Sequence, residues 1–514
     1  MTYALSECAI LLHPDDDVAV LKKDLSSGAQ VETGSGRITL AADIPAGHKL
    51  ALRPRKAREQ VRKYGQVIGV ATQEIRPGDH VHLHNLGMDR RRQHYEFATE
   101  LRPPAPPPPT DPVAFAGFRR KDGRVGTRNY VAVLSTTNCS ASATAGIVAE
   151  ARARLLSDFP NVSGILSLTH ATGCAAPMGG PDYRLLQRTL AGYADHPNVG
   201  AAMFVGLGCE GNQAAALLED TGLLRIAHGQ PPPIVTIQES GGTQKARERG
   251  VRVLADLLAR ANGARRTPEP LSQLTVGLQC GGSDGNSGIT ANPALGMAMD
   301  RLVAHGGTAI LAETPEIYGA EHLLTRRCVS KEVGEWLLEK VRWWEWYTGI
   351  WGATINNNPA PGNKAGGLTT IFEKSLGACA KGGTTPLREV YAYAERVRER
   401  GLVFMDTPGN DPVSVTGLVA GGANLIAFTT GRGSCYGCVP SPSLKIASNT
   451  PLYERMSDDV DIDAGVVLAG TPLEQVADAI FRALVEVASG TQTKSERQGI
   501  GEEEFAPWVL GPVL

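Results

Sequence analysis

The feature that most restricts this chain is a proline run at residues 101–112, LRPPAPPPPTDP. Proline fixes φ and has no amide proton, so the run cannot enter a helix interior or a central strand. It reads as a stiff, extended linker of polyproline type. It sets residues 1–100 apart from the remainder. A softer boundary falls near NGARRTPEP, residues 262–270, giving a second unit at 113–265 and a third at 266–514. A length of 514 residues suits about three domains at roughly 100–200 residues each. A chain this long buries enough core to fold without disulfide or metal staples.

Each unit has its own pattern. In the first, GHKLALR, GQVIGVAT and DHVHLHN are short, partly alternating segments punctuated by DIPAG and EIRPGD. They predict a small β-rich, barrel-like unit. After the linker, YVAVLSTTNC, VSGILSLTHATGC, AAMFVGLGCE, PPIVTIQESGG and LTVGLQCGGSD read as buried strands, each ending in a small or polar loop. Helical stretches at 141–157 and 183–194 lie between them. Strand–helix–strand alternation predicts an α/β class with a doubly wound, mostly parallel sheet, followed by a mixed α/β unit. Residues 331–347 read as helix. So do 471–490, with Thr471 as N-cap, Pro472 at N1, Glu474 at N3, and Leu473, Val476, Ala477, Ile480, Leu484 and Val487 on one core face. The tryptophans at 343, 344, 346 and 351 read as packing or as a wedge between domains.

Composition excludes several functions. With 51 basic and 53 acidic residues, the chain has no bulk charge to draw nucleic acid or an anionic membrane. Aromatics at 5% do not suit a base-stacking RNA binder, whereas 59 glycines suit tight loops around a small ligand. No apolar run reaches the ~18–20 residues that span a bilayer. MTYALSECAILLHPDDD lacks a basic start and meets Asp15, Asp16 and Asp17, unlike a secretory signal. Nine dispersed cysteines do not form a disulfide framework. A cytoplasmic protein with free thiols is expected.

Ligands in open α/β sheets bind beyond the carboxyl ends of strands. Those ends carry Cys139, His170 with Cys174, Cys209 with Glu210, Gln238, and Cys280 with Asp284. Any one cysteine reads equally as a small buried hydrophobe. Four at equivalent ends make Cys139, Cys174, Cys209 and Cys280 candidate metal ligands, since thiolates select iron–sulfur clusters or zinc. Residues 279–296, QCGGSDGNSGITANPALG, form a loop whose amides can cradle an anion, with Asp284, Ser287 and Asn292 as candidate substrate contacts. Arg432, between glycines in AFTTGRGS, can fork onto a carboxylate. Glu313 and Glu316 are close enough to act together, and Lys364 and Lys374 can serve as base or as the cation that holds an enolate charge. His80, His82 and His84 alternate along one predicted strand face; His82 and His84 are candidate metal ligands. A nicotinamide oxidoreductase would need GxGxxG after the first strand, and YVAVLSTTNCSAS has none.

Together these stretches resemble the altronate and galactarate dehydratases. The resemblance lies in KDGRVGTRNY (121–130), HATGC (170–174), GLGCE (206–210), LQCGGSDGNSGITANPALG (278–296), ETPEIYGAE (313–321), PGNKAGG (361–367), EKSLG (373–377), FTTGRGS (428–434) and DIDAG (461–465). The first unit is similar to the SAF-type β-clip module that precedes this core, and HVHLHN is closer to the altronate branch. The resemblance implies a lyase that removes water from a six-carbon sugar acid, most simply D-altronate, giving a 2-keto-3-deoxy acid. It implies Fe²⁺, with Mn²⁺ accepted; the thiols also leave an iron–sulfur cluster open. The expected scheme has His170 or Lys374 as base and Glu313 as acid, while Arg432 and Lys364 hold carboxylates or hydroxyls. A galactarate-type dehydratase, a sulfolactate sulfo-lyase-like enzyme and a sugar-acid-binding regulator are the alternatives. A small-molecule substrate and a homo-oligomer are expected, without nucleic acid or membrane.

Overall fold

The computed structural model describes residues 1–34, 36–88, 94–175, 177–223 and 230–510. The expected α/β class is what it shows. The N-terminal unit is strand-rich, built from three small sheets. Four of its strands matter below: β1 (Lys49–Ala51), β2 (Gln60–Lys63), β3 (Gln66–Ala71) and β4 (His80–Val81). β1 pairs antiparallel with β4, and β2 with β3. The run DHVHLHN does not continue as a strand. It breaks after Val81 into a turn, because Asn85 folds its side chain back onto the His82 amide and the His80 carbonyl.

Beyond the linker stand two parallel sheets. The smaller contains β5 (Tyr130–Ser135), β6 (Gly164–Leu168), β7 (Val199–Gly206) and β8 (Ile234–Thr236), in the order β6-β5-β7-β8. The larger contains β9 (Thr275–Cys280), β10 (Thr308–Leu311), β11 (Leu387–Tyr391), β12 (Gly401–Met405), β13 (Leu425–Thr430), β14 (Ser443–Ala447) and β15 (Ile462–Asp463). Its order is β11-β12-β10-β9-β13-β14-β15. The expected single rim therefore divides. The four expected strands between residues 130 and 236 form one sheet, and LTVGLQC founds the other.

The helices expected at 141–157, 183–194 and 331–347 are α1 (Ala141–Arg154), α2 (Pro181–Ala194) and α3 (Lys331–Ile350). Two further helices frame the site: α4 (Ile371–Cys379) and α5 (Asp411–Ala420). The C-terminal α6 (Leu473–Ala488) buries Val476, Ala477, Ile480, Leu484 and Val487 as the periodicity predicts. Its start differs: Thr471 is not the N-cap. The Thr471 amide is spent on the Val466 carbonyl in the preceding turn, and Pro472 takes the cap position without a side-chain bond.

One apolar layer serves both sheets. Leu134, Leu168 and Phe204 from the smaller pack in the same cluster as Ile310, Val403 and Phe428 from the larger. Trp343, Trp344, Tyr347 and Trp508 form an aromatic group beside it. The end of the proline linker is pinned by buried Asp111, which pairs with Arg301 and His305. Among the described residues no helix is long and apolar enough to cross a membrane.

Candidate functional site

β9 is the central strand of the larger sheet. The chain leaves it toward β10 on one side, while β13 lies on the other and leads to β14. Connections that part this way open a crevice at the strands' carboxyl ends. The loop after β9 and the loop after β13 meet there, where the amides of Gly431 and Arg432 donate to the Gly282 carbonyl at 3.0 and 2.7 Å. Arg432 is exposed, and among the described residues its guanidinium has no hydrogen-bond or ion-pair partner. It lies against Gly366, where an added Cβ would meet its Cδ at 3.0 Å.

The N-terminal unit closes over this crevice. A Cβ on Gly285 would come within 2.0 Å of the Gly47 carbonyl oxygen, and one on Gly367, at φ +101°, within 2.3 Å. The glycines of GSDGNSG and NKAGG thus let the two backbones touch. Beneath the contact, the Glu373 carboxylate sits between two buried ammoniums. Lys49 Nζ is 2.9–3.0 Å from its two oxygens and Lys63 Nζ is 3.0 Å from one. Thr369 adds its amide at 3.0 Å and its hydroxyl at 2.6 Å, and Lys49 also donates to the Gly367 carbonyl at 2.6 Å. Burial opposes ionisation of Glu373, but the two lysines outweigh it and hold the carboxyl well below its usual range.

Next to Lys49, His48 begins a cluster of imidazoles. Its Nε2 lies 3.2 Å from the Ala365 carbonyl, which can only accept, so Nε2 carries the proton. Its Nδ1 is then a lone pair, 3.0 Å from His80 Nε2. One nitrogen each of His48, His80 and His82 lies within 4.8 Å of the others. His82 Nδ1 is buried without a partner. Burial lowers all three pKa values, His80 to about 4 and His82 to about 3; Lys49 adds to it in every ring, and the neighbouring imidazoles add to it in His80 and His82. Three neutral rings with an orphaned buried nitrogen fit a divalent cation. His84, one of the two expected ligands, is exposed on the turn and lies outside the triad.

A second cluster lies at the ends of β9 and β10. Gln279 Nε2 bridges Glu313 Oε1 at 2.7 Å and Asp411 Oδ1 at 2.8 Å. Lys381 Nζ is 2.9 Å from both Cys280 Sγ and Glu313 Oε2. Lys374 Nζ is 2.6 Å from Glu316 Oε1 and 2.8 Å from Asn358 Oδ1. Glu313 sits in the left-handed region at φ 67°, which a non-glycine residue keeps only where its surroundings impose it. Here its amide donates to Thr407 Oγ1 at 2.9 Å. Burial, reinforced by Glu316, raises Glu313 to about 7. Burial also raises Asp411, to about 6. Burial opposes the charge on Glu316, but Lys374 and Lys381 keep it below the ordinary range. The cluster thus holds one carboxyl that carries a proton near neutrality and one that does not. Cys280, Glu313 and Glu316 are also close enough to share an ion. Two lysines already neutralise them, so the imidazole triad is the better cation site.

Several expected roles change. His170 is at the smaller sheet, with Nε2 bonded to the Ser135 carbonyl at 3.0 Å and Nδ1 beside Thr172 Oγ1 at 3.1 Å. Both nitrogens are engaged away from the crevice, so it is not placed as the base. Lys374 is held protonated: burial alone would lower it, but Glu316 and Cys280 raise it. At neutral pH it therefore carries its charge beside Glu316, which disfavours the expected role of base. Asp284, Ser287 and Asn292 are spent on structure. Asp284 accepts from Ser287, Ser448 and Asn449; Asn292 donates to the Gly377 carbonyl and accepts from Thr429. They shape the loop and leave its surface to others. Lys364 is half-buried, and among the described residues no hydrogen bond or ion pair holds its ammonium. Cys139, Cys174 and Cys209 share the edge of the smaller sheet, whereas Cys280 belongs to the larger and pairs with Lys381.

Sequence reasoning passed over His48, Lys49, Lys63, Lys381 and Asp411. Only Lys381 left a signal: it follows Lys374 by seven residues, two helical turns on one face.

Three family models match in chain order: the altronate/galactarate dehydratase SAF domain over residues 7–89, the D-galactarate dehydratase/altronate hydrolase second domain over 117–262, and the D-galactarate/altronate dehydratase C-terminal region over 271–513. The altronate dehydratase of Bacillus subtilis is 35% identical over 498 residues, 96% of this chain and 97% of that protein. This chain belongs to the altronate and galactarate dehydratase family. It is a sugar-acid dehydratase, a hydro-lyase. The Escherichia coli altronate dehydratase is 36% identical over 96% of this chain and 97% of its own length. The E. coli galactarate dehydratase (L-threo-forming) is 36% identical over 98% and 97%. The dehydratase thus carries its histidine triad on the SAF unit and its cluster of buried carboxyls and lysines on the C-terminal unit.

Proposed function

We propose that this dehydratase converts D-altronate to 2-keto-3-deoxygluconate, with Fe²⁺ or Mn²⁺ held by His48, His80 and His82. The observation that carries the reading is that the N-terminal unit, with its imidazoles, docks on the loop of Ala365–Gly367 against which Arg432 lies, over the larger sheet's carboxyl cluster. Three neutral imidazoles, an unpaired arginine and a carboxyl pair in opposite protonation states are what an α-proton elimination needs. A divalent cation there supplies positive charge that makes removal of a proton beside a carboxylate easier.

The remaining work falls to the chain's own groups. Arg432 orients a substrate carboxylate, and Lys364 holds a hydroxyl. Glu316, kept ionised, accepts the C2 proton. The Lys374 ammonium stands beside it and offsets the negative charge that develops. Glu313, neutral up to about pH 7, donates to the departing C3 hydroxyl. Loss of hydroxide as water leaves an enol, which tautomerises to the keto acid.

A substrate panel tests the assignment. Aldonic and aldaric acids and sulfolactate are offered to anaerobically metal-loaded enzyme, and keto acid and sulfite are both assayed. Altronate gives keto acid fastest. Preference for galactarate moves the enzyme to the other branch, and release of sulfite replaces the hydro-lyase reading altogether.

The acid role of Glu313 has its own signature. A carboxyl raised to about 7 supports activity below that pH and loses it as pH rises. The alkaline limb of kcat should bend near pH 7. Glu313→Gln should lower kcat by about 10²–10⁴-fold and remove the bend. An unchanged limb in the variant assigns the proton elsewhere.

A further inference from the structure

The smaller sheet carries metal-type ligands that the dehydration site does not use. Cys139, Cys174 and Cys209 follow β5, β6 and β7, which are neighbours in one parallel sheet, so all three emerge from the same edge. Their loops are tied to one another. The Asn138 amide donates to the Thr172 carbonyl at 3.0 Å, Gly211 to Cys174 at 3.0 Å, and Asn212 to Gly173 at 3.1 Å. The buried Glu210 carboxylate braces the third loop, accepting from Thr136 Oγ1 at 2.7 Å and from the amides of Leu207 and Gly208 at 3.1 and 2.6 Å.

The rigid frame therefore presents three exposed, free thiols. Thr137 Oγ1 and Asn212 Oδ1, on residues fully buried in these same loops, have no partner. Buried polar groups are rarely left unpaired without a ligand or function.

The spacing selects the ligand. The three sulfurs do not all lie within 4.8 Å of one another. Thiolates around one zinc, with Zn–S of about 2.3 Å, would stand roughly 3.8 Å apart. A larger inorganic core, in which each thiolate takes a different iron, suits a wider set. We propose that Cys139, Cys174 and Cys209 bind an iron–sulfur cluster at the edge of the smaller sheet, separate from the histidine triad. Clusters of the four-iron type take four cysteine thiolates. Three leave one iron without a protein sulfur, open to an oxygen ligand.

The experiment uses the full-length enzyme, purified without oxygen and incubated with Fe²⁺ and sulfide. Iron, acid-labile sulfide and visible absorption are measured after desalting. The wild type should retain both elements and a broad sulfur-to-iron absorption. Cys139→Ser, Cys174→Ser and Cys209→Ser should each lose at least about half of the sulfide and the absorption. Cys435→Ser, at another exposed cysteine, should keep them, and so should His80→Ala, which removes iron bound at the imidazoles. Wild-type enzyme that takes up iron without sulfide, or zinc alone, overturns the proposal regardless of how the variants fold. Serine variants that keep wild-type sulfide overturn it as well.

Discussion

Glu373→Gln should destabilise the enzyme by about 3–5 kcal/mol, the cost of leaving buried charges uncompensated. The carboxylate stands between Lys49 and Lys63, and all three side chains are at most 1% exposed. Glutamine keeps the shape and some hydrogen bonds but removes the one negative charge between two positive ones. Lys49 would yield first, because burial has already lowered it to about 8. The damage should be local as well as global, since this cluster joins the SAF unit to the C-terminal unit. Urea unfolding measures the loss, and limited proteolysis should cut the variant faster within 101–112. The pH dependence provides a further check. A carboxyl whose folded pKa is depressed stabilises above its unfolded value of about 4.3 and loses that contribution as pH falls toward the folded value. The wild type should lose stability in acid below about pH 4.3, and the variant should lack that part of the slope. A change under about 1 kcal/mol would mean that the ion cluster does not hold the units together.

His80→Ala should weaken metal binding by at least about 100-fold and lower kcat/KM in proportion. Changes in groups that merely orient metal ligands already cost about 10–100-fold, and His80 is placed as a ligand itself. Calorimetric titration with Mn²⁺ separates this from misfolding, because the ring is at the rim of the unit and its loss leaves the Lys49–Glu373–Lys63 cluster intact. The low pKa of about 4 makes a second expectation. An ordinary histidine would begin to shed metal below about pH 6.5; here burial lowers all three rings, so affinity should persist into more acidic solution than for ordinary imidazoles. Wild-type affinity in the variant would remove the triad from the scheme.

How much of this was legible in the sequence depends on what each signal encodes. Alternation of apolar runs with helical periods gave the α/β class, because burial on both faces of a parallel sheet writes itself into composition. It could not say which strands share a sheet, so Cys280 was grouped with three cysteines that belong to another edge. Glu313 and Arg432 follow strands of the larger sheet as the sequence suggested, whereas Lys374 lies on α4 and reaches the same cluster through its bond to Glu316. Their protonation was not legible, since the charge on buried Lys374 is sustained by Glu316, 2.6 Å away, and by Cys280. His170 looked like a base for the same reason that Asp284 looked like a substrate contact. A polar residue in a glycine-rich loop is indistinguishable, in sequence, from one whose hydrogen bonds are already spent on the loop. His48 was invisible because it meets His80 and His82 only through the pairing of β1 with β4, a register the sequence does not announce. Its bond to Ala365 needs the docking of two units as well.

The placement of the triad has a bearing on how the enzyme is made. All three imidazoles are present once residue 82 of 514 has been synthesised. The nascent first unit therefore owns a complete set of nitrogen donors before either large sheet exists. On the proposed reading the donor set precedes both sheets, and the Ala365 carbonyl, arriving later, selects the His48 tautomer whose Nδ1 lone pair faces the other rings.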